Sequence, residues 1–495
     1  MISAVNALLL ACAASIPAAP AVAQASSEVS GTLAAALESV RASNLSADLH
    51  FVASDEMGGR DTPSSGLRQT ARFIRSRLMR LGWQPGAPDG FFYVYKLSKP
   101  QIDESETRAS VVKDGAAVLD LVLGRDYFFS TRGLTSAEFS GPVVFCGFGG
   151  DEDFEGLDLA GKWALCFDGK GSSRSRANRA EEAGALGVIQ TPGPDYVGKP
   201  YAERFDSYVE SMRRSRVSWP KRSGADEVFP FVYLAGAAGA KMLAQASGPS
   251  GEPWTPAVGE SLGLTFTDRR REVGEGGLID VENVCGFFPG TDPELSKEVI
   301  LLSGHYDHVG TSSRGIYNGA DDNGSGTCGL LAVAEALTVR GPLPRSVMII
   351  WVSGEEKGLW GSLAWTLDPW LPEGCRPVLD INIDMIGRNA PDQLLVTPTK
   401  ARAKDYNGLT RLVENLGPLE GFTDIGSADE YWNRSDHANF RQNLDIPVAF
   451  LFTDVHEDYH QPTDTPDKID YDKMRRVVRL VVRMIDGLQD PILDL

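Results

Sequence analysis

The sequence VILLSGHYD, at residues 299–307, runs directly from four apolar residues towards a histidine and an aspartate. Three further near-continuous apolar runs follow it, at 346–352, 378–383 and 447–452. Runs of this kind are typical of strands buried on both faces, and helical patterns separate them along the chain. The alternation predicts an α/β sandwich built on a central sheet.

Polar clusters follow these apolar runs directly or lie in the loop beyond them. Five clusters stand out, at residues 304–307, 319–326, 353–356, 382–385 and 459–464. Open α/β sheets bind their ligands at the carboxyl ends of the strands, so the clusters are expected to meet at one edge. Their histidines and carboxylates are the ligands that zinc-class ions take. A pair of such ions about 3.5–4 Å apart activates a water and polarises a carbonyl.

Each cluster supplies one candidate metal ligand. The predicted ligands are His305, Asp322, Glu356, Asp384 and His460. Asp321 is a rival to Asp322, and it is equally suited to cap the following helix. His437 and His456 are rivals to His460, but the ligand count is complete without them, so we expect them to line the pocket wall or support the ligands.

Two of the clusters each contain two candidate residues, and the two residues are expected to have different roles. Glu355 and Glu356 are adjacent, and the chemistry needs one carboxylate on a metal and one free to move a proton. His305 and Asp307 stand two apart at a strand end, so both side chains point to one side. Asp307 is then placed to accept the second imidazole proton. The structural alternatives are a pair of surface glutamates and a solvated turn with a capping aspartate.

Composition sets limits on partners. The chain of 495 residues is 42% hydrophobic and 23% charged, as soluble globular proteins are, and its length suggests two to four domains. The formal net charge is −19, which argues against a nucleic-acid partner. No apolar run after the N-terminal segment is long enough to span a bilayer.

The N-terminal residues 1–23 resemble a secretory signal peptide, with an apolar core and an expected cleavage after Ala23. No Lys or Arg precedes the apolar run, so an uncleaved or cytoplasmic form stays open. The stretch from Leu9 to Cys12 leaves a lipid anchor as a further alternative. Five cysteines follow the segment. Cys146 and Cys166 lie on neighbouring apolar stretches, where either a disulfide or two buried thiols would fit.

Three segments follow the expected signal peptide. Residues 24–131 are predicted to begin the main domain, with a helix at 66–81 ended by Gly82. Residues 132–260 have short apolar strands between glycine-rich turns and no plausible ligand set, so they are predicted to form a separate inserted domain. The charged, aromatic stretch 201–222 is expected to be exposed. Residues 261–495 are predicted to be the catalytic domain.

The five clusters resemble those of the M28 family of metallopeptidases. The resemblance implies a three-layer α/β/α sandwich with a mixed, mostly parallel sheet and two zinc ions per chain. It places His305 and Asp384 on one zinc, Glu356 and His460 on the other, and Asp322 between them. It also makes Glu355 the general base for a water shared by the ions and Asp307 the orienting carboxylate, and it implies a cis peptide at Asp322–Asn323. Two further features resemble the family more loosely. The segment 55–60 resembles one near the start of many members, and residues 132–260 resemble the protease-associated insert that several members carry.

The resemblance implies a secreted or periplasmic zinc aminopeptidase that removes N-terminal residues from peptide substrates. Three alternatives stay open: a carboxypeptidase or dipeptidase, a glutaminyl-cyclase-like acyltransferase, and an inactive binding protein. A carboxypeptidase would need a cation for the terminal carboxylate, and Arg388 and Arg434 are the nearest in sequence. The preferred side chain and the oligomeric state have no signal in the sequence.

Overall fold

A computed structural model describes residues 32–130, 136–168, 172–193, 201–213, 217–220, 229–246, 256–273 and 277–490. The expected signal peptide, 1–23, lies outside these residues. In the described part of the chain, buried apolar side chains form one large core around one sheet and a second core around another. The two sheets therefore divide the molecule into a main body and an insert.

The strands are numbered in chain order. They are β1 (Gln84–Pro85), β2 (Phe92–Ser98), β3 (Arg108–Lys113), β4 (Ala116–Leu121), β5 (Tyr127–Phe129), β6 (Ala137–Phe145), β7 (Trp163–Asp168), β8 (Gly187–Pro192), β9 (Phe231–Leu234), β10 (Ser261–Arg270), β11 (Leu278–Phe288), β12 (Glu298–His305), β13 (Thr311–Ser312), β14 (Gly315–Ile316), β15 (Ser346–Val352), β16 (Arg376–Ile383), β17 (Gln393–Thr397), β18 (Asp424–Ser427) and β19 (Val448–Phe452).

The α-helices are numbered in the same way. They are α1 (Leu33–Ser39), α2 (Ala42–Val52), α3 (Ser65–Leu81), α4 (Asp151–Phe154), α5 (Ser173–Glu182), α6 (Tyr201–Arg213), α7 (Gly236–Gln245), α8 (Gly326–Arg340), α9 (Trp360–Leu367), α10 (Gly408–Leu416), α11 (His437–Leu444) and α12 (Tyr471–Gly487). Among the residues described, none of these helices combines the length and apolar character needed to cross a membrane.

The main body is built on a mixed sheet of nine described strands, in the order β1-β11-β15-β12-β16-β19-β17-β18, with β2 also paired to β11. The central strands β15, β12, β16 and β19 are mutually parallel. Antiparallel pairs flank them, β11 with β15 and β17 with β19. Strands β15 and β19 are buried along their whole length, which explains their near-continuous apolar sequences.

Two separate groups of helices cover this sheet. Helix α8 packs against α1, α2, α3 and α12, whereas α9 and α11 pack on each other and against β2, β16 and β19. This arrangement confirms the expected α/β/α sandwich. The helix predicted at 66–81 is confirmed as α3, which begins after the Ser64 cap and ends at Gly82 in a left-handed conformation, φ 77°.

The insert is built on a second sheet of eight described strands, in the order β4-β3-β10-β6-β7-β8-β9-β5. Strand β10 pairs with both β3 and β6, so residues on either side of 132–260 belong to the same sheet. We therefore propose 108–270 as the extent of the insert. The alternating sequence of β3 to β5 resembles that of any half-buried strand, so composition alone did not mark the start of the insert.

The insert leaves and rejoins the main body at one hairpin. Strands β2 and β11 are antiparallel, and Ser98 pairs with Leu278. Trp219, inside the insert, stacks on Tyr95 of β2 with ring centroids 6.3 Å apart. The stretch 201–222 is not simply exposed as expected, because Phe205, Val209 and Met212 of α6 are buried in the second core. In the sequence, the many charged residues around these three apolar residues made their helical spacing hard to recognise.

The two cysteines considered for a disulfide are free thiols in the structure. Cys146 and Cys166 are both buried. Burial raises the pKa of the Cys146 thiol to about 12, so it stays protonated at neutral pH. Both residues therefore act as small apolar side chains of the insert.

Candidate metal centre

The parallel strands of the main sheet bring four of the polar clusters to one edge. His305 is the last residue of β12, and Asp384 directly follows β16. Glu355 and Glu356 lie in a short 3-10 turn, Glu355–Lys357, after β15. His460 lies in the loop beyond β19. Because these strands are neighbours and parallel, their carboxyl ends meet, as the sequence predicted.

The fifth cluster lies in the turn before α8. Asp322 reaches both neighbouring histidines with different oxygens. His305 Nε2 lies 3.4 Å from Asp322 Oδ1 and 3.3 Å from Asp384 Oδ1. His460 Nε2 lies 3.1 Å from Asp322 Oδ2 and 3.1 Å from Glu356 Oε2. The structure thus brings all five predicted ligands together, with Asp322 in the middle.

The ligand-type atoms form two clusters. His305, Glu355 and Asp384 make the first cluster, and His308, Asp322, Glu356 and His460 make the second cluster. In each cluster the ligand-type atoms lie within 4.8 Å of one another. Sequence reasoning missed His308, although it stands three residues after His305 and is one of only six histidines in the chain.

The charges at this edge fit bound cations. Four carboxylates converge, from Asp322, Glu355, Glu356 and Asp384, and in the described part of the chain no Lys or Arg forms an ion pair with them. The side chains of Asp322, Glu356 and Asp384 are at most 11% exposed. Buried carboxylates without a countercharge are costly, and histidine nitrogen with carboxylate oxygen suits zinc. The residues present therefore fit two zinc-class ions.

The tautomer of His305 is set by a backbone carbonyl. Its Nδ1 lies 3.2 Å from the carbonyl oxygen of Asp307 and 3.7 Å from the Asp307 carboxylate. A carbonyl only accepts, so Nδ1 carries the proton and Nε2 offers its lone pair to a metal. The Asp307 carboxylate instead accepts from the Glu355 backbone N–H, at 3.2 Å. Asp307 thereby positions the turn that carries the glutamates as well as the histidine.

Thr62 is a second residue that sequence reasoning missed. Its hydroxyl donates to Asp307 Oδ2 at 3.0 Å and accepts from the backbone N–H of Gly354 at 3.1 Å. It therefore ties the loop after β12 to the loop after β15. A lone threonine more than two hundred positions from its partners gives no periodic signal.

Arg60 also holds in place the chain segments on either side of the site. It is fully buried, and its guanidinium donates to the carbonyls of Tyr306, Asn318 and Gly319 at 3.0, 2.6 and 2.8 Å. Burial lowers the pKa of Arg60 from its usual value, with nearby carboxylates acting in the opposite direction. These bonds hold the segments on either side of the site at a fixed separation, which gives a physical role to the segment 55–60.

The turn before α8 orients Asp322 and turns Asp321 away. The expected cis peptide at Asp322–Asn323 is confirmed. The Asp464 carboxylate accepts from the backbone N–H groups of Asp321 and Asp322. The Asp321 carboxylate accepts from Gly387 N–H at 2.8 Å and lies 3.4 Å from His456 Nε2. Asp322, rather than Asp321, therefore points at the histidines.

The two rival histidines lie outside both clusters. His437 is buried and stacks on Phe450, with ring centroids 4.6 Å apart. Burial lowers the pKa of His437 to about 3, so the ring is neutral. His456 contacts Asp321, as described above. Both residues lie behind the site rather than in it.

The adjacent glutamates differ in acidity. Burial raises the pKa of Glu355 well above its ordinary value, which favours a carboxyl that takes up a proton. Burial also acts on Glu356, but the imidazoles of His308 and His460 outweigh it and lower the pKa of that carboxyl. Such a separation is typical of a pair in which one carboxylate transfers protons and the other keeps its charge.

A small cavity of about 30 Å³ adjoins the first cluster. One wall consists of His305, Asp322, Glu355 and Asp384. The other walls are mostly apolar or aromatic and consist of Met385, Tyr431, Phe450, Phe452, Val455 and Tyr459, with Arg434 and Ser435 also lining it. Ser435, another residue missed from sequence, donates to Asp384 Oδ2 at 2.9 Å and fixes that carboxylate.

Comparison with known proteins agrees with this fold and site. Residues 283–485 match the sequence pattern of peptidase family M28. This range contains the four central strands and every residue of both clusters. The part of the chain that carries both clusters is therefore similar to peptidase family M28.

Relatives were found by sequence and by structure. A probable leucine aminopeptidase of Arthroderma otae is 28% identical over 202 residues, 38% of this chain and 54% of the relative. Aminopeptidase YwaD of Bacillus subtilis is 25% identical over 365 residues, 72% of this chain and 67% of the relative. The aminopeptidase of Aneurinibacillus sp. strain AM-1 superimposes with a TM-score of 0.50 at 21% identity, covering 94% of this chain and 98% of that one. The chain spans about half the length of the leucine aminopeptidases that it matches.

Proposed function

We propose that the protein is a zinc-dependent aminopeptidase that hydrolyses the N-terminal residue of peptides. The observation that carries the proposal is the pair of clusters joined by Asp322, with a small cavity beside Glu355. The match of residues 283–485 to peptidase family M28 and the aminopeptidases among the relatives support the same reaction.

The proposed metal ligands are His305, Asp322, Glu356, Asp384 and His460, holding two ions. When bound, such ions supply Lewis acidity, which polarises the scissile carbonyl and acidifies water. Asp322 is placed between His305 and His460, so its two oxygens can serve both ions. Ser435 and the backbone carbonyl of Asp307 hold Asp384 and His305 in orientation.

Glu355 is proposed as the general base. Its carboxylate makes no side-chain hydrogen bond with the described residues, and its backbone N–H is held by Asp307. It takes the proton of the attacking water and delivers it to the leaving amine. The raised pKa of Glu355, caused first by burial, suits a group that holds a proton between these two steps.

The cavity beside the first cluster is proposed to receive the side chain of the N-terminal residue. Phe450, Phe452, Tyr431 and Met385 give it apolar and aromatic walls, and together with Tyr459 they form one buried cluster of the main body. The cavity holds about 30 Å³ in this structure, so a large side chain would enter it only if the walls moved apart. From the apolar and aromatic wall residues we propose a preference for apolar N-terminal residues.

A panel of peptide amides tests the function. The purified protein should hydrolyse unblocked leucyl and phenylalanyl amides and leave their N-acetyl forms intact. A chelator should abolish the activity, and zinc should restore it. Cleavage of N-blocked peptides at a free C-terminus would instead assign a carboxypeptidase. Ring closure of N-terminal glutamine with release of ammonia would assign an acyltransferase.

A second candidate function rests on Arg434. This residue is exposed and lines the cavity, so it is placed to bind a carboxylate of the substrate. The other sequence candidate, Arg388, is only 14% exposed and pairs with Asp458 at 2.9 Å, which occupies its charge. A dipeptidase would use Arg434, and its rate on dipeptides relative to dipeptide amides should fall in Arg434→Gln.

The location and the insert complete the proposal. We propose secretion through residues 1–23, with cleavage after Ala23, which N-terminal sequencing of extracellular protein would test. The insert is proposed to be a protease-associated-type domain that supplies no metal ligand. Deleting it should leave metal binding intact if the rest of the chain folds.

A further inference from the structure

His308 occupies a position in the second cluster for which the five-ligand set has no role. It lies in the loop after β12 and is fully buried. Its Nδ1 is 2.7 Å from Glu356 Oε1 and 3.7 Å from Asp322 Oδ2. Its ring stands at 69° to that of His460, with centroids 5.6 Å apart. His308 therefore faces the same carboxylates as His460, from another side.

Hydrogen bonds within the described part of the protein do not explain why the His308 imidazole is buried at this position. Neither Nδ1 nor Nε2 of His308 makes a hydrogen bond of acceptable geometry with the residues that the structure describes. Glu356 Oε1 also lacks such a bond, despite its short distance from Nδ1. A buried polar group left unpaired costs about 1–3 kcal/mol. The two atoms lie close together without pointing at one another, as two ligands of one ion do.

The loop opposite leaves room for the ring. Gly319 has φ 57°, and a Cβ there would lie 2.5 Å from His308 Cγ and 2.6 Å from Cδ2. A side chain at position 319 would collide with the imidazole and also with the backbone oxygen of Asp322, 2.3 Å from that Cβ. The backbone of His308 is fixed as well, because its N–H donates to the carbonyl of Arg60 at 3.2 Å.

The distances in the second cluster fit a shared ion. Ligands bound at about 2.0–2.2 Å to one ion lie roughly 3–4 Å from one another. Asp322 and Glu356 each lie 3.1 Å from His460, and Asp322 lies 3.7 Å from His308. The shorter contact, to Glu356 Oε1, fits a carboxylate that binds with both oxygens.

We propose that His308 is a fourth protein ligand of the second-cluster ion, beside Asp322, Glu356 and His460. The proposal rests on the two-metal site of the proposed function. It makes the two ions unequal, because His305, Asp322 and Asp384 alone would hold the ion of the first cluster. Zinc with four protein ligands is typical of closed sites, and zinc with three is typical of sites open to substrate. The second ion is then held more tightly, and the first keeps the free positions.

Counting bound imidazoles in the wild-type protein tests this directly. In the cobalt-substituted protein, each histidine ligand gives one strongly shifted, solvent-exchangeable ring N–H signal in proton NMR. We expect three such signals, from His305, His308 and His460. Zinc X-ray absorption should likewise require three imidazoles for every two ions. Two signals in a protein that binds two ions would overturn the role of His308 alone.

Variants give the second test. His308→Ala should lose one of the three shifted signals and weaken binding of one ion by more than about 100-fold in equilibrium dialysis, since supporting residues alone contribute 10–100-fold. The matched control is His437→Ala, which also removes a buried imidazole but lies outside both clusters, and it should keep all three signals. Wild-type affinity for both ions in a folded His308→Ala would overturn the proposal. If His308→Ala does not fold, the wild-type count decides.

The outcome also separates this proposal from the proposed function. A wild-type protein that binds no zinc or cobalt refutes the metal site, and with it both proposals. A protein that binds two ions through two imidazoles and cleaves aminoacyl amides keeps the function and refutes only the fourth ligand.

Discussion

At the scale of single residues, the proposed mechanism divides proton transfer and metal binding between the adjacent glutamates. Glu356 faces His308 and His460, whereas the Glu355 carboxylate has no side-chain hydrogen bond in the described part of the chain. Two neighbouring residues of one turn thus place their carboxyl groups in the same space, one with a raised pKa and the other with a lowered pKa. The pair is therefore the most direct place to test the mechanism.

Glu355→Gln should keep its shape but lose the ability to accept a proton. A positioned general base contributes about 10²–10⁴-fold, so kcat on an unblocked aminoacyl amide should fall by that factor. Zinc content, measured by elemental analysis, should not change. Glu356→Gln is the control and should lose zinc and activity together. The reverse pattern would exchange the roles of the two residues.

Thr62→Val should destabilise the protein although it replaces one residue by another of nearly equal shape. The change leaves the Asp307 carboxylate and the Gly354 N–H with one partner fewer in a buried site. Each unpaired group costs about 1–3 kcal/mol, which chemical denaturation will measure. Thr62→Ser keeps the hydroxyl and should recover most of the loss. Equal stability of Thr62→Val and wild type would remove this residue from the support of the site.

At the scale of elements, the loop after β19 carries His460 and is held by one aspartate. Asp458 accepts from Thr463 and Lys468 at 2.6 Å each and from Arg388 at 2.9 Å. Its side chain is 5% exposed. The loop is therefore fixed by a buried charge network rather than by regular secondary structure.

Asp458→Asn should lower the free energy of unfolding by about 1–3 kcal/mol at neutral pH. Burial opposes ionisation, but the bonds from Lys468, Thr463 and Arg388 outweigh it and lower the pKa of Asp458 below its usual value. A lowered pKa stabilises the folded state above the unfolded pKa, and that stability is lost as the pH falls. The difference between wild type and variant should be complete above about pH 5 and shrink below about pH 4. A difference independent of pH would show that packing, not charge, holds the loop.

The sequence pattern correctly predicted the elements whose structure depends mainly on residues close to them in the chain. Continuous apolar runs located the central strands, because burial on both faces requires such runs. The strand ends and the loops beyond them contained the five expected ligands. Thr62, Ser435 and His308 were missed because their partners lie elsewhere in the chain, where no periodicity reports them. The wider extent proposed for the insert has no local signal for the same reason, since β3 and β10 are joined only by long-range pairing.

At the scale of the whole molecule, two cores indicate two units of stability. Trp163 packs edge-on against Phe266 in the insert, at a centroid distance of 5.2 Å, whereas Trp351 is buried in the main core. Zinc binds only the main body in the proposed mechanism. Ligand binding and core mutations should therefore act on different parts of the unfolding curve.

Calorimetry with and without zinc tests this separation. Zinc at 100 times its dissociation constant should stabilise the main-body transition by about 2.7 kcal/mol and leave the insert transition in place. Phe266→Ala should shift only the insert transition, by about 3–5 kcal/mol. A single transition that moves in both experiments would show that the two cores unfold as one unit.

The pairing of Ser98 with Leu278 puts both ends of the insert side by side on neighbouring strands. A connection of about two to five residues would close the same hairpin. At the level of the gene, this makes one locus at which a whole accessory module can be gained, exchanged or deleted by recombination. Such an event would leave unchanged both the strand order of the main sheet and the positions of the residues at its edge.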